Sequence, residues 1–405
     1  MNTRFYNAKI LVLDAENHFS IAEDELHVTG DTITYIGPGR KADPDAAETT
    51  VFDREIDARG NLLIPGFKNA HTHTPMTFLR SYADDLPLHE WLERQVFPNE
   101  AKLAGDDVYW LNILGIMEYL TSGITSNFDM YIQQKNSIAA TVDTGFRTVL
   151  TSGLNNFVDS PEILEEMYNY VNKLSDRTSY LLGFHAEYTT GGPLLESVAP
   201  TQLMERLGMF QYGGGGYHCI WMEDRDFEIF RDRKLTAVTN PSSNLKLASG
   251  ICPLKRFYDN GINLAIGTDG PASNNCLDMF REMFLTTGLS KVREMDAAGI
   301  PADAILYMAT AGGAHAMQLT DCDRLAAGKK ADLVMIDLHQ PNMQPENNLI
   351  KNLVYSGSKQ NVKLTMVNGQ ILYENGEFHI GFDPEEIYAR SNAIIRRISG
   401  SHADN

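Results

Sequence analysis

Two histidines one residue apart, His71 and His73, carry the strongest chemical signal in the chain. They close an apolar run, LLIPGFKNAHTHTP, that begins at Leu62. Side chains alternate along a strand, so His71 and His73 project to one side and Thr72 to the other. Two imidazoles on one side of a strand end can hold a metal ion. Alone, the pair also reads as two surface histidines beside a turn. Asp269 ends another continuous apolar stretch, INLAIGTDG. A carboxylate there can ligate a metal and take a proton from a metal-activated water. Thr-Asp-Gly also reads as a turn or helix cap, but a histidine pair on a second strand favours the metal role. His218, in YHCIWM, lies among apolar residues, where a lone histidine is commonly structural. At a strand end facing a metal it would polarise the attacking water or hold a developing oxyanion. His185, in GFHAEY, is similarly placed to position the polar edge of a substrate ring, and Asn240 ends a further strand candidate. The remaining histidines fall away from such ends and read as surface or core residues. The run Gly213 to Gly216 lacks a following Lys-Ser/Thr, so it reads as a close-packed strand entry rather than a phosphate cradle.

These groups need elements that bring strand ends to one place. Residues 1–60 contain short alternating runs broken by Gly, Asp and Asn, which predict β structure. Leu62 to His71 predicts the opening strand of a second region, with Pro65 and Gly66 punctuating it. Two helices follow by periodicity, LHEWLERQVFPNEAKL and DDVYWLNILGIMEYLTSG. Asp106 and Asp107 suit the start of the second helix, and Gly123 its stop. From there strand-like and helix-like segments alternate to about residue 324. That pattern predicts an α/β fold with a parallel sheet, most economically a TIM-like (β/α) barrel, whose C-terminal strand ends share one site. After residue 325 the chain is β-rich again and ends in a helix with charges of both signs. The expected organisation is a barrel over 61–324 and a small composite β-sandwich from 1–60 and 325–405.

Composition fits a globular chain: 405 residues, 43% hydrophobic and 21% charged. A formal charge of −19 argues against nucleic-acid or anionic-membrane partners and leaves a small-molecule substrate. The four cysteines are scattered, against a disulfide framework and in keeping with a reducing cytoplasm. No signal peptide or membrane span is expected. A homo-oligomer is compatible with everything above.

Three stretches, PGFKNAHTHTPMTFLRSYADDLPLHEWL, VTNPSSNLKLASG and LAIGTDGPASNNCLDMFREM, closely resemble the amidohydrolase superfamily. The nearest branch resembles the S-adenosylhomocysteine/methylthioadenosine deaminases and the related chlorohydrolases, over nearly the whole chain. The resemblance implies a barrel, a sandwich built from both termini and one divalent metal, zinc first and iron second. By position, His71, His73 and Asp269 match metal ligands. Asp269 also matches the proton acceptor, and His218 the catalytic histidine of the sixth strand. His185 matches a substrate-contacting histidine, while Trp91 and Glu100 match positions that enclose the nucleoside. The implied reaction is hydrolytic deamination of a purine or adenosine-like compound. The alternatives are hydrolysis of another heteroaromatic ring, as in the chlorohydrolases, or a degenerate deletion form that binds ligand without turnover.

Three departures stand out. The family's fifth strand carries a metal-binding histidine and, three residues on, a catalytic glutamate; neither is found. His185 and His218 are 33 residues apart (218 − 185), whereas strand four to strand six of such a barrel should take about 60. One β/α unit reads as missing, so the expected barrel is incomplete, with His185 or Glu187 as substitutes from within. Ser152 stands where the adenosine deaminases place an arginine, and Thr239 where the family commonly has histidine.

Overall fold

The structure, a computed structural model, describes residues 1–39, 51–82, 84–152, 161–184 and 199–400. Sixteen strands are present among them. The N-terminal segment contributes β1 (Asn2–Leu13), β2 (Phe19–Thr29), β3 (Thr32–Gly37), β4 (Arg54–Asp57) and β5 (Leu62–Pro65). The middle contributes β6 (Phe67–Thr72), β7 (Ile124–Met130), β8 (Arg147–Thr151), β9 (Thr178–Leu181), β10 (Gly215–Tyr217), β11 (Thr236–Thr239) and β12 (Asn263–Ile266). The C-terminal segment contributes β13 (Leu333–Ile336), β14 (Val362–Val367), β15 (Gln370–Glu374) and β16 (Glu377–Phe378).

The two ends of the chain form one sheet, ordered β16-β15-β14-β13-β5-β1-β2-β3, with β4 on β1. Its buried face gathers Phe5, Ile10, Leu26, Val28, Leu63, Leu333 and Leu364. One expectation is corrected here. Leu62–Pro65 does not open the barrel; β5 pairs antiparallel with β13, Leu333 opposite Pro65 and Ile336 opposite Leu62. The barrel strand begins only at Phe67. Gly66 makes the break: its N–H donates to the Asp332 carbonyl at 3.0 Å, and a Cβ there would fall 2.1 Å from the Thr125 side chain. Only glycine lets the chain leave one sheet and enter the other at that spacing.

The middle strands are parallel and alternate with helices, as in a TIM-like barrel. They form two runs, β6-β7-β8-β9 and β10-β11-β12. First and last meet: the Asp269 N–H donates to the His71 carbonyl at 3.0 Å, so β12 lies beside β6. Among the described residues, no pairing joins β9 to β10. The helix Gly105–Thr121 starts and stops where its residues dictate. The Asp107 carboxylate accepts from the Ala104 N–H at 2.6 Å, and Gly123 takes φ +76° just beyond. The glycine run serves as a strand entry, as expected. A Cβ on Gly215 would stand 2.2 Å from the Thr236 carbonyl oxygen, so β10 approaches β11 too closely for a side chain.

The helix Pro384–Ser399 returns from the terminal sheet to the barrel, where Ile394 and Ile398 pack with Trp91, Leu92, Val96 and Val108. Among the described residues no helix is long and apolar enough to cross a membrane. The four cysteines are all free thiols.

Candidate metal centre and catalytic groups

Strand β6 carries His71 inside the barrel mouth, 3% exposed. His73 follows just past the strand, ahead of the short helical turn Thr74–Leu79. Asp269 lies three residues beyond β12, and His218 one residue beyond β10. Both Asp269 (φ +60°) and His218 (φ +63°) adopt the left-handed backbone conformation. Such strain in non-glycine residues concentrates where a side chain must be aimed.

The candidate ligand atoms of His71, His73 and Asp269 all lie within 4.8 Å of one another. His73 Nε2 is 3.3 Å from Asp269 Oδ1, and His71 Nε2 is 3.7 Å from the same oxygen. Donors about 2.0–2.2 Å from a tetrahedral ion stand roughly 3.3–3.6 Å apart. The chemistry and spacing of the three donors therefore fit a divalent metal. His73 is already oriented for it: Nδ1 donates to the Met130 carbonyl at 2.5 Å, which places the ring's lone pair on Nε2.

His218 Nε2 stands 3.8 Å from Asp269 Oδ2, on the other side of the carboxylate. The short helix Pro241–Lys246, packed just beyond β11, holds both catalytic candidates with consecutive residues. Ser243 Oγ donates to Asp269 Oδ2 at 2.6 Å. Asn244 Oδ1 lies 2.7 Å from His218 Nδ1 and, as an amide oxygen, accepts its proton. The Gly270 N–H adds a bond to Asp269 Oδ1 at 2.7 Å. Burial alone would raise the Asp269 carboxyl. The imidazoles of His218, His73 and His71 and the Ser243 hydroxyl outweigh it and hold the group below the usual carboxylate range.

Around this centre the walls are polar yet buried. Asn240 is fully buried, and neither amide atom has a hydrogen-bond partner among the described residues. A Cβ on Gly267 would fall 2.4 Å from its Oδ1 and 2.8 Å from the His71 backbone nitrogen. Asp129, fully buried on β7, accepts from the Thr74 N–H at 2.9 Å. Loss of solvent pushes its carboxyl up to about 6. Glu100 is pushed up to about 7 by burial, against the opposing pull of the Tyr131 hydroxyl and His73. Trp91 is 5% exposed and packs with Met76, Tyr131 and Ala272, in the wall that runs from His73 toward Glu100.

The structure thus brings His71, His73, His218 and Asp269 together and sets Trp91 and Glu100 in the adjoining wall. His185 and Glu187 lie outside the described residues. Ser152 spends its hydroxyl on the Gly183 backbone, accepting from its N–H at 3.4 Å and donating to its carbonyl. Ser243, Asn244 and Asp129 were not singled out from the sequence. Ser243 and Asn244 do sit in the quoted VTNPSSNLKLASG stretch, directly after a strand, which is where a search for orienting residues would begin.

The sequence pattern of the amidohydrolase family matches residues 62–195 and 195–372 of the chain. A 5-methylthioadenosine/S-adenosylhomocysteine deaminase of Thermoanaerobacter pseudethanolicus is 36% identical, over 93% of this chain and 95% of its own length. One from Caldicellulosiruptor saccharolyticus is 35% identical over 99% of this chain and 100% of its own length. Among solved structures, a zinc-bound adenosine deaminase from Xanthomonas campestris superposes with a TM-score of 0.88 at 28% identity, covering 98% of this chain and 99% of that one. A zinc-bound atrazine chlorohydrolase from Arthrobacter aurescens shares the fold at a TM-score of 0.87 and 19% identity, over 97% of this chain and 100% of that one. The Thermoanaerobacter alignment spans 417 positions, of which 93% of 405 residues fills about 377. About 40 positions of the alignment (417 − 377) therefore face no residue here.

Proposed function

The chain belongs to the amidohydrolase family, and from that premise we propose that it is a zinc-dependent hydrolytic deaminase of adenosine-like small molecules, 5-methylthioadenosine and S-adenosylhomocysteine first among them. The observation that carries this reading is the meeting of His71, His73 and Asp269 within 4.8 Å, with His218 on the far side of the same carboxylate. The full-length likeness to deaminases at 35–36% identity supports the substrate class.

His71 Nε2, His73 Nε2 and Asp269 Oδ1 would hold the ion. A divalent metal supplies Lewis acidity that makes water nucleophilic near neutral pH. Asp269, kept ionised by its neighbours, takes the proton that water loses and returns it to the leaving amine. His218, with Nδ1 fixed on Asn244, turns Nε2 to the oxygen that adds at the ring carbon and stabilises its developing charge. Ammonia leaves and the ring carbon keeps the oxygen. Glu100 and Trp91 hold the sugar side: the carboxylate accepts from hydroxyls, and the indole supplies a flat apolar wall.

The about 40 unfilled alignment positions and the family match divided at residue 195 support a barrel one β/α unit short, and the seven parallel barrel strands among the described residues agree with it. The free thiols support a cytoplasmic setting. The test is ammonia release with zinc present, from 5-methylthioadenosine, S-adenosylhomocysteine and adenosine. Turnover of at least one is expected, and silence toward all three would overturn the reading.

A further inference from the structure

Tyr217 is the last residue of β10 and stands beside His218, yet no role in the reaction falls to it. Its side chain goes into the barrel. It packs against one cluster of Ala70, Val238 and Ala265 and a second of Phe128, Val149 and Met317. Those clusters draw on β6, β7, β8, β11 and β12, so one phenol ring spans the barrel interior beneath the mouth. Leu181, on β9, packs against the second cluster from the other side of the interval between the strand runs.

The same ring lies flat on His71. Their centroids are 4.0 Å apart and the planes 17° apart. Phe128 then meets Tyr217 edge-on, at 5.9 Å and 80°. By contrast His71 meets His73 and His218 only edgewise, at 82° and 77°. The plane of His71, and with it the direction of its Nε2 lone pair, is therefore set by Tyr217 from one side. A metal ligand free to swing loses affinity, because the ion must then order it.

We propose that Tyr217 is a positioning residue of this barrel: its ring fills the interior between β9 and β10, which do not pair among the described residues, and clamps the His71 imidazole for metal binding. This rests on the metal reading of His71, His73 and Asp269. The phenol oxygen has no part in it; the flat face does.

The experiment is zinc affinity of the full chain, measured by competition with a chromophoric chelator, for wild type, Tyr217→Phe and Tyr217→Leu. Tyr217→Phe keeps the flat face and should bind zinc within about twofold of wild type. Tyr217→Leu keeps an apolar filler without the face, and its affinity should fall about tenfold or more. The melting of each metal-free protein is recorded alongside, because a purely structural role would move that readout and leave the affinity of the folded protein unchanged. Zinc affinity of Tyr217→Leu within about twofold of wild type overturns the proposal. Should that variant not fold, Tyr217→Met, longer and more adaptable, takes its place under the same criterion. Wild-type protein that binds no zinc would instead defeat the metal reading itself, and this inference with it.

Discussion

Asp269 stands between three imidazoles, two on its Oδ1 side and one on its Oδ2 side. In the proposed reaction it would be ligand and proton carrier at once, so Asp269→Asn should lower kcat by at least about a thousandfold, checked by steady-state ammonia release. The orienting residues should behave differently. Asn244→Ala leaves His218 in place but free to rotate or change tautomer. We expect kcat to fall about 10- to 100-fold with KM little changed. The four central groups were legible in the sequence because they sit at or just past the ends of three strands, β6, β10 and β12, a local pattern. Their orienting partners were not, because Ser243 meets Asp269 and Asn244 meets His218 across 26 residues of chain in each case. The role of Tyr217 was hidden for the same kind of reason. Alternation says that a strand residue faces inward or outward, but not which other strands its ring will reach.

At the scale of elements, the wall bearing Trp91 and Glu100 depends on a helix nearly 300 residues away. Lys102 Nζ donates to the Ile398 carbonyl at 3.1 Å, and Arg397 donates to the Lys102 carbonyl at 3.3 Å. Ile394 and Ile398 are buried beside Trp91. Ile394→Ala should cost about 2–5 kcal/mol of stability, read by denaturant unfolding. If the wall holds the substrate's sugar side, the same variant should raise KM by a larger factor than it lowers kcat. The helix itself was visible in the sequence as a tail with charges of both signs, but its docking site was not, since nothing local marks Trp91 as its neighbour. The split of Leu62–Pro65 from Phe67–Thr72 was equally hidden. Both pieces are strand-like and adjacent in sequence, and the break is decided by how closely Thr125 packs on Gly66.

At the scale of the molecule, barrel and terminal sheet are tied by a buried ion cluster. Arg147, on β8, places Nε 2.8 Å from Asp332 Oδ2 and Nη2 3.0 Å from Oδ1. Lys68, on β6, stands 3.7 Å from the same carboxylate. Burial would raise Asp332, but Arg147 and Lys68 outweigh it and hold the carboxyl at about 2. A carboxyl depressed in the folded state stabilises above its unfolded value, about 3.9, and that contribution is lost as pH falls toward 2. Asp332→Asn should therefore flatten the acid limb of melting temperature against pH in that window. Asp332→Ala, which strands two buried cations, should cost about 3–5 kcal/mol near neutrality.

The hydrogen bond from the Asp269 N–H to the His71 carbonyl marks where the ring of strands is joined. His71 and His73 belong to one run of strands, and Asp269 and His218 to the other. An ion held there would be a cross-link between two half-rings whose opposite ends, β9 and β10, do not pair among the described residues. Metal binding and global unfolding then become linked equilibria. At free zinc one hundredfold above Kd the native state gains about 2.7 kcal/mol, and a chelator should withdraw it. Calorimetry with and without chelator should show the melting transition shift downward on metal removal, and the loss should be concentrated in faster amide exchange along the β6–β12 seam.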